Sequence, residues 1–112
     1  MPPLLRLAAR AAMIDADKMR RACLGAIGVR RDGAIVSTRN LSSKCPSPSS
    51  HAEARCLKMC DRGATIYVAR VNRAGEMAMS RPCSRCMAAM RARKIARVVF
   101  SISEIEWGTI TP

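Results

Sequence analysis

The sequence predicts an α/β fold, a single three-layer domain over residues 1–112 with a central mixed sheet of four to five strands and about three flanking helices. Three observations carry this expectation. Short runs that read as strands (Leu24 to Val29, Ala34 to Thr38, the β-branched-rich Ala64 to Val71, Ile95 to Ser101) are set among stretches that read as helices before the first run, after the second and before the last. Asp32-Gly33 separates the first two runs, where Asp-Gly closes an antiparallel hairpin. Only eleven residues of the 112 follow Ser101, too few for a helical crossover of a dozen or more residues plus a further parallel strand. A last strand over Glu106 to Ile110 must therefore run antiparallel to its neighbour.

Taken in order, residues 4 to 22 read as a helix. Leu4, Leu5, Ala8, Ala11, Ala12, Asp15 and Met19 form one mostly apolar stripe and leave Arg6, Arg10, Lys18, Arg20 and Arg21 for water or a ligand. The first hairpin follows, turning at Arg30-Arg31-Asp32-Gly33. Asn40 to Ser50 holds two prolines and five serines without periodicity and reads as a loop, with Ser49 or Ser50 placed to cap the next helix. That helix covers about His51 to Cys60. Ala64 to Val71 is the next strand, Gly75 marks a turn, and Glu76 to Met79 is short enough to pair back. A third helix opens at Pro82, a residue suited to a helix start, and runs to about Ala92.

A chain of this length buries only a modest core, so a self-association surface and a homo-oligomer are expected. Hydrophobic residues make up 49% of the chain, but the aromatics are only Tyr67, Phe100 and Trp107, so the core is built from Ala, Val, Ile, Leu and Met. The net charge is +12, and sixteen of the twenty cationic residues are arginine, the side chain that grips phosphate with paired hydrogen bonds. An anionic partner fits this balance; so does a solvated surface in an Arg-biased genome. Six cysteines without a secretory signal point to a reducing cytoplasm rather than a disulfide scaffold. No apolar run reaches the ~20 residues of a membrane span. Met1 to Met13 is Arg- and Ala-rich without acids; this resembles a mitochondrial targeting peptide as well as a helix of the domain.

The chemistry-bearing residues lie in His51-Ala52-Glu53 and Pro82-Cys83-Ser84-Arg85-Cys86. A soft-to-borderline cation such as Zn²⁺ takes N and S ligands in a tetrahedron, and His51, Cys83 and Cys86 supply three, leaving one position for water. Cysteines at i and i+3 on the first turn of a helix share a face and can grip one ion. Glu53 is better placed as a proton carrier beside that water than as a fourth ligand. A catalytic zinc site and a structural one both remain open on these residues alone, although a structural site has no use for the carboxylate.

H-x-E followed by P-C-x-x-C is the signature of zinc-dependent nucleobase deaminases. The chain resembles the cytidine deaminase superfamily over roughly residues 24 to 101, including Gly25-Ala26-Ile27-Gly28-Val29, Asp32-Gly33 and Arg97-Val98-Val99-Phe100. The resemblance implies a hydrolysis in which zinc lowers the pKa of water toward neutrality, water adds at C4 of cytosine, and Glu53 carries the proton to ring N3 and then to the departing amine. It further implies that the backbone at Ala52 binds the product-side oxygen and that Asn40 contacts the nucleoside; Asn40 also suits the end of a strand. Two cues conflict within the superfamily. An antiparallel last strand resembles free cytidine and blasticidin deaminases, whereas His-Ala-Glu, in place of Cys-Ala-Glu, resembles deoxycytidylate and polynucleotide deaminases. Short phage and bacterial members combine both.

The expected substrate is therefore a free (deoxy)cytidine nucleoside or nucleotide. A single-stranded DNA or RNA deaminase is the alternative; the positive charge supports it and the scarcity of aromatic stacking residues opposes it. A nonenzymatic, basic nucleic-acid-binding zinc protein is the third reading. Arg30, Arg31, Arg81 and Arg85 flank strand ends and the motif loop, where each could meet a phosphate or simply face water. Cys56 and Cys60, at i and i+4, read as small buried hydrophobes or as a metal half-site, and Cys23 and Cys45 have no partner pattern.

Overall fold

The computed structural model describes residues 1–13, 23–39, 52–72 and 74–112, without the side chains of Glu53 and Ala54. The elements are α1 (Pro3–Met13), β1 (Cys23–Val29), β2 (Ile35–Arg39), α2 (Ala52–Lys58), β3 (Thr65–Val71), β4 (Met77–Ala78), α3 (Ser84–Ala92), β5 (Arg97–Ser101) and β6 (Trp107–Ile110). The expected continuation of the first helix over 14–22, the loop to Ser50 with its capping serines, Cys45, Asn40 and His51 lie outside the described residues.

The sheet order is β2-β1-β3-β5-β6, with β4 attached to β3. β3 and β5 run parallel, Ile66 opposite Val98 and Val68 opposite Phe100; the other pairings are antiparallel. β6 is antiparallel to β5, as expected. Among the described residues the count is six strands instead of four to five, because Glu76 to Met79 does pair back, through two residues only (Arg70 opposite Ala78, Val71 opposite Met77). β1 occupies one edge of β3 along its whole length, so β4 shares the other edge with β5 and carries on where β5 stops.

Alternation of side chains along the strands divides the core into two layers. Ala26, Ile66, Val68 and Val98 meet Ala52, Cys56 and Leu57 of the α2 region and Met90 of α3 on one face. Ile27, Ala69 and Val99 meet Leu5 and Ala8 of α1 on the other. This is the three-layer arrangement the sequence predicts. Leu5, Ala8 and Ala12 are spaced i, i+3 and i+7 and are at most 1% exposed, so the stripe of α1 seats on the sheet over that part of the helix.

Turns follow from their chemistry. The first hairpin closes with the Gly33 amide donating to the Arg30 carbonyl at 2.9 Å and the Arg30 amide to the Ala34 carbonyl at 2.8 Å, and Gly33 takes the left-handed φ of 91° that the turn needs. Asn72 shapes the next reversal by accepting the amides of Ala74 and Glu76 on its Oδ1, both at 3.0 Å. α3 ends with Lys94 in the left-handed region at φ 58°, the Ile95 amide donating back to the Met90 carbonyl at 3.1 Å, and both apolar side chains buried.

Candidate active site

The first motif sits where β2 hands the chain to α2. Thr38, buried in β2, donates its hydroxyl to the Ala52 carbonyl at 2.6 Å, and Arg55 donates from its guanidinium to the Arg39 carbonyl at 2.7 Å. Two bonds thus tie the end of β2 to the first turn of α2, and Ala52 is fully buried between them. Among the described residues the helix spans Ala52–Lys58, ending two residues short of the expected Cys60. Beyond Lys58 the Met59 amide bonds the Cys56 carbonyl and the Cys60 amide the Leu57 carbonyl, tightening the chain out of the α-helical pattern. His51, Asn40 and the Glu53 side chain are outside the described residues, so the placement of these three is not part of the geometry.

The second motif opens α3. Cys83 is the N-cap, extended at φ −69° and ψ 166°, and its carbonyl accepts the Met87 amide at 2.9 Å. Pro82 is buried one residue earlier, so it fixes the approach to the helix rather than occupying its first turn as expected. Cys86 lies in the first turn and is 7% exposed, whereas Cys83 is exposed. Both thiols stand at the positive end of the helix dipole, which favours thiolates and negative ligands. One buried and one solvent-facing thiol at i and i+3 suit a soft cation held at the domain surface with a side open to water.

α2 and α3 share one core, since Ala52, Cys56 and Leu57 pack in the same cluster as Met90, with Met87 against it. The helices carrying the two motifs are therefore neighbours on one face of the sheet. Among the described residues no group of three or more His, Cys, Asp or Glu side chains gathers as a metal cluster; Cys83 and Cys86 are the described members of the expected ligand set.

The remaining sequence candidates divide. Cys56 and Cys60 are buried with their sulfurs 3.9 Å apart, packed under Gly28, where a Cβ would stand 2.7 Å from the Cys56 sulfur. They fill the core layer as small hydrophobes. The hydrogen bond with Cys56 holds the Cys60 thiol below its ordinary pKa against the opposing effects of burial and Asp61, with Arg30 and Arg93 assisting. Burial pushes the Cys23 thiol up. Arg30 faces Asp32 of its own hairpin at 3.4 Å and Asp61, beyond α2, at 3.9 Å, while Arg31, Arg81 and Arg85 are exposed. Thr38, Ser80 and Ser101 are buried polar residues that sequence reasoning missed. A serine ending the apolar run Val98-Val99-Phe100 was the available sign for Ser101.

A mixed sheet with helices on both faces, one of them opened by a P-C-x-x-C pair, is the architecture of the cytidine deaminase superfamily. Residues 3–102 match the family described as the cytidine and deoxycytidylate deaminase zinc-binding region, and the chain belongs to that family. Its fold is similar to that of a cytidine deaminase from Burkholderia pseudomallei, with a TM-score of 0.65 and 18% identity over 99% of this chain and 93% of that one. A cytidine deaminase from Mycobacterium tuberculosis is similar with a TM-score of 0.50 and 20% identity, over 86% of this chain and 82% of that one. No curated protein sequence matches the chain.

Proposed function

We propose that this chain is a zinc-dependent hydrolytic deaminase, converting cytosine to uracil in a free (deoxy)cytidine nucleoside or nucleotide. The observation that carries the reading is the pair of thiols at the start of α3, beside the helix that bears Ala52 and Glu53. His51, Cys83 and Cys86 are the residues that would hold zinc, and zinc when bound supplies the acidified water that this hydrolysis requires. Glu53 would take one proton of that water and pass it to N3 of the ring, then move the second proton, from the oxygen added at C4, to the departing amine, so that ammonia leaves and the C4 carbonyl of uracil remains. The Ala52 backbone binds the oxygen that replaces the amine, and Asn40 orients the sugar.

The small-substrate reading gains support from the aromatics. Phe100 is buried, Tyr67 packs against the α1 layer, and only Trp107, on β6, is as much as 44% exposed. A platform for stacking successive bases needs more than one such ring. The net charge of +12 favours the second reading, a single-stranded DNA or RNA deaminase. We further propose one zinc-binding domain over the whole sequence, residence in the reducing cytoplasm, which keeps the two motif thiols available to metal, and assembly as a homo-oligomer. No helix among the described residues is long and apolar enough to cross a membrane.

The test is a deamination panel on cytidine, deoxycytidine, dCMP and single-stranded DNA and RNA oligonucleotides with zinc-loaded protein. Turnover of a free nucleoside or nucleotide is expected. Strand binding without turnover of any cytosine substrate would instead mark a nonenzymatic zinc protein.

A further inference from the structure

Two buried serines join the elements that lead into the cysteine motif. Ser80, 5% exposed, lies in the segment between β4 and α3; Ser101, fully buried, ends β5. Each hydroxyl has one proton to donate and lone pairs to accept with. Ser80 donates to the Val68 carbonyl at 2.8 Å and accepts the Ser101 amide at 2.8 Å. Ser101 donates to the Ala78 carbonyl at 2.7 Å and accepts the Arg70 amide at 3.2 Å. The two oxygens are 2.9 Å apart, and the Ser80 amide donates to the Ser101 carbonyl at 2.9 Å.

This network stands where β4 takes over the edge of β3 from β5, a discontinuity at which backbone groups would otherwise lose ladder partners. From Ser80 the chain reaches Cys83 in three residues, a span of about 10 Å at most. Within that span Pro82 is buried and holds a fixed φ. Little slack remains between the serine network and the N-cap of α3.

We infer that Ser80 and Ser101 are positioning residues for the thiol pair, setting where Cys83 and Cys86 meet the metal. The inference rests on the reading of those cysteines as zinc ligands. Neither serine touches metal or substrate; the pair acts through the placement of the corner that begins α3.

The experiment loads wild type, Ser80→Ala, Ser101→Ala and the double variant with Co²⁺, and reads the thiolate-to-cobalt absorption and the affinity by chelator competition. Both single variants are expected to bind cobalt about tenfold more weakly or worse, with an altered absorption band, as when a partner that orients metal ligands is lost. The double variant should resemble the weaker single variant, because the hydroxyls act as one network. Lowered thermal stability with unchanged affinity and spectrum would reduce the pair to a sheet-stabilising role and overturn the inference. Should the alanine variants not fold, wild type itself decides. By reciprocity, metal loading must slow amide exchange at Ser80 and Ser101, and unchanged exchange sinks the idea. A wild-type chain without a thiolate–cobalt band removes the metal reading and the inference together, whereas a normal wild-type band with unaltered variants removes the inference alone.

Discussion

The Thr38 hydroxyl and the Ala52 carbonyl, 2.6 Å apart and buried, fasten the end of β2 to the first residue of α2. Ala52 stands between His51 and Glu53, so the bond acts on the backbone of the proposed catalytic motif. Thr38→Val keeps a branched side chain and removes the donor. It is expected to cost about 1–3 kcal/mol in denaturant unfolding, and to lower turnover, with Thr38→Ser restoring both. A valine variant with wild-type stability and rate would show that the bond positions nothing.

Metal content should follow the motif cysteines and not the core pair. Cys83→Ser is expected to lose zinc, while Cys56→Ser keeps it and loses only stability, because Cys56 is fully buried in the layer shared by α2 and α3. Metal analysis of the two purified variants settles this. The opposite pattern would move the ligand assignment to the Cys56 and Cys60 pair.

Glu53→Gln should retain zinc and the folded state while turnover falls by about 10² or more, the scale of general acid–base catalysis. A rate within about tenfold of wild type is too small a loss for a residue that moves both protons. Zinc content and circular dichroism measured on the same sample separate a lost reaction from a lost fold.

Lys94 holds a left-handed conformation at φ 58° to end α3. Glycine suits that position without Cβ strain, so Lys94→Gly should raise the unfolding free energy by about 1 kcal/mol. The gain is read from thermal or denaturant midpoints, and no gain would mean that the lysine side chain contributes what its backbone costs.

Charge distinguishes the two substrate classes. If the arginines serve a polynucleotide, log K for single-stranded oligonucleotides should fall against log[salt] by about 0.7 for each phosphate neutralised. A single nucleotide gives a shallow slope. Neutralising Arg6, Arg10, Arg30 and Arg31 would flatten the steep slope if these residues carry the contacts. A multi-phosphate slope together with deamination of oligonucleotides would overturn the preference for small substrates.

Much of the fold was legible because it rests on local patterns. The β-branched residues of Ala64 to Val71, the Asp32-Gly33 turn and the few residues after Ser101 anticipated β3, the first hairpin and the antiparallel β6. The two-residue β4 was foreseen only as a stretch able to pair back, since so brief a strand owes its existence to the open edge of β3 beyond β5. Pro82 fell two residues before the first residue of the helix expected to start with it, a boundary that spacing does not resolve. At the site, residue type and spacing singled out Cys83 and Cys86. Thr38, Ser80 and Ser101 escaped notice because their partners, Ala52, Val68, Ala78 and Arg70, are brought to them by tertiary structure.

β1 has helical neighbours pressed onto both of its faces at sites three residues apart. A Cβ at Gly25 would run into the α1 backbone at the Ala8 carbonyl and stand 2.6 Å from the Ala12 nitrogen, and one at Gly28 would meet the sulfurs of Cys56 and Cys60. The two positions differ in how they could yield. At Gly28 the obstacle is side-chain tips, so a larger residue there could be accommodated in a lineage that first shrank both Cys56 and Cys60. At Gly25 the obstacle is main chain, and no substitution elsewhere removes it without lifting the whole of α1. Drift should therefore be tolerated at the first site only along one mutational order, and at the second not at all while this helix keeps its seat.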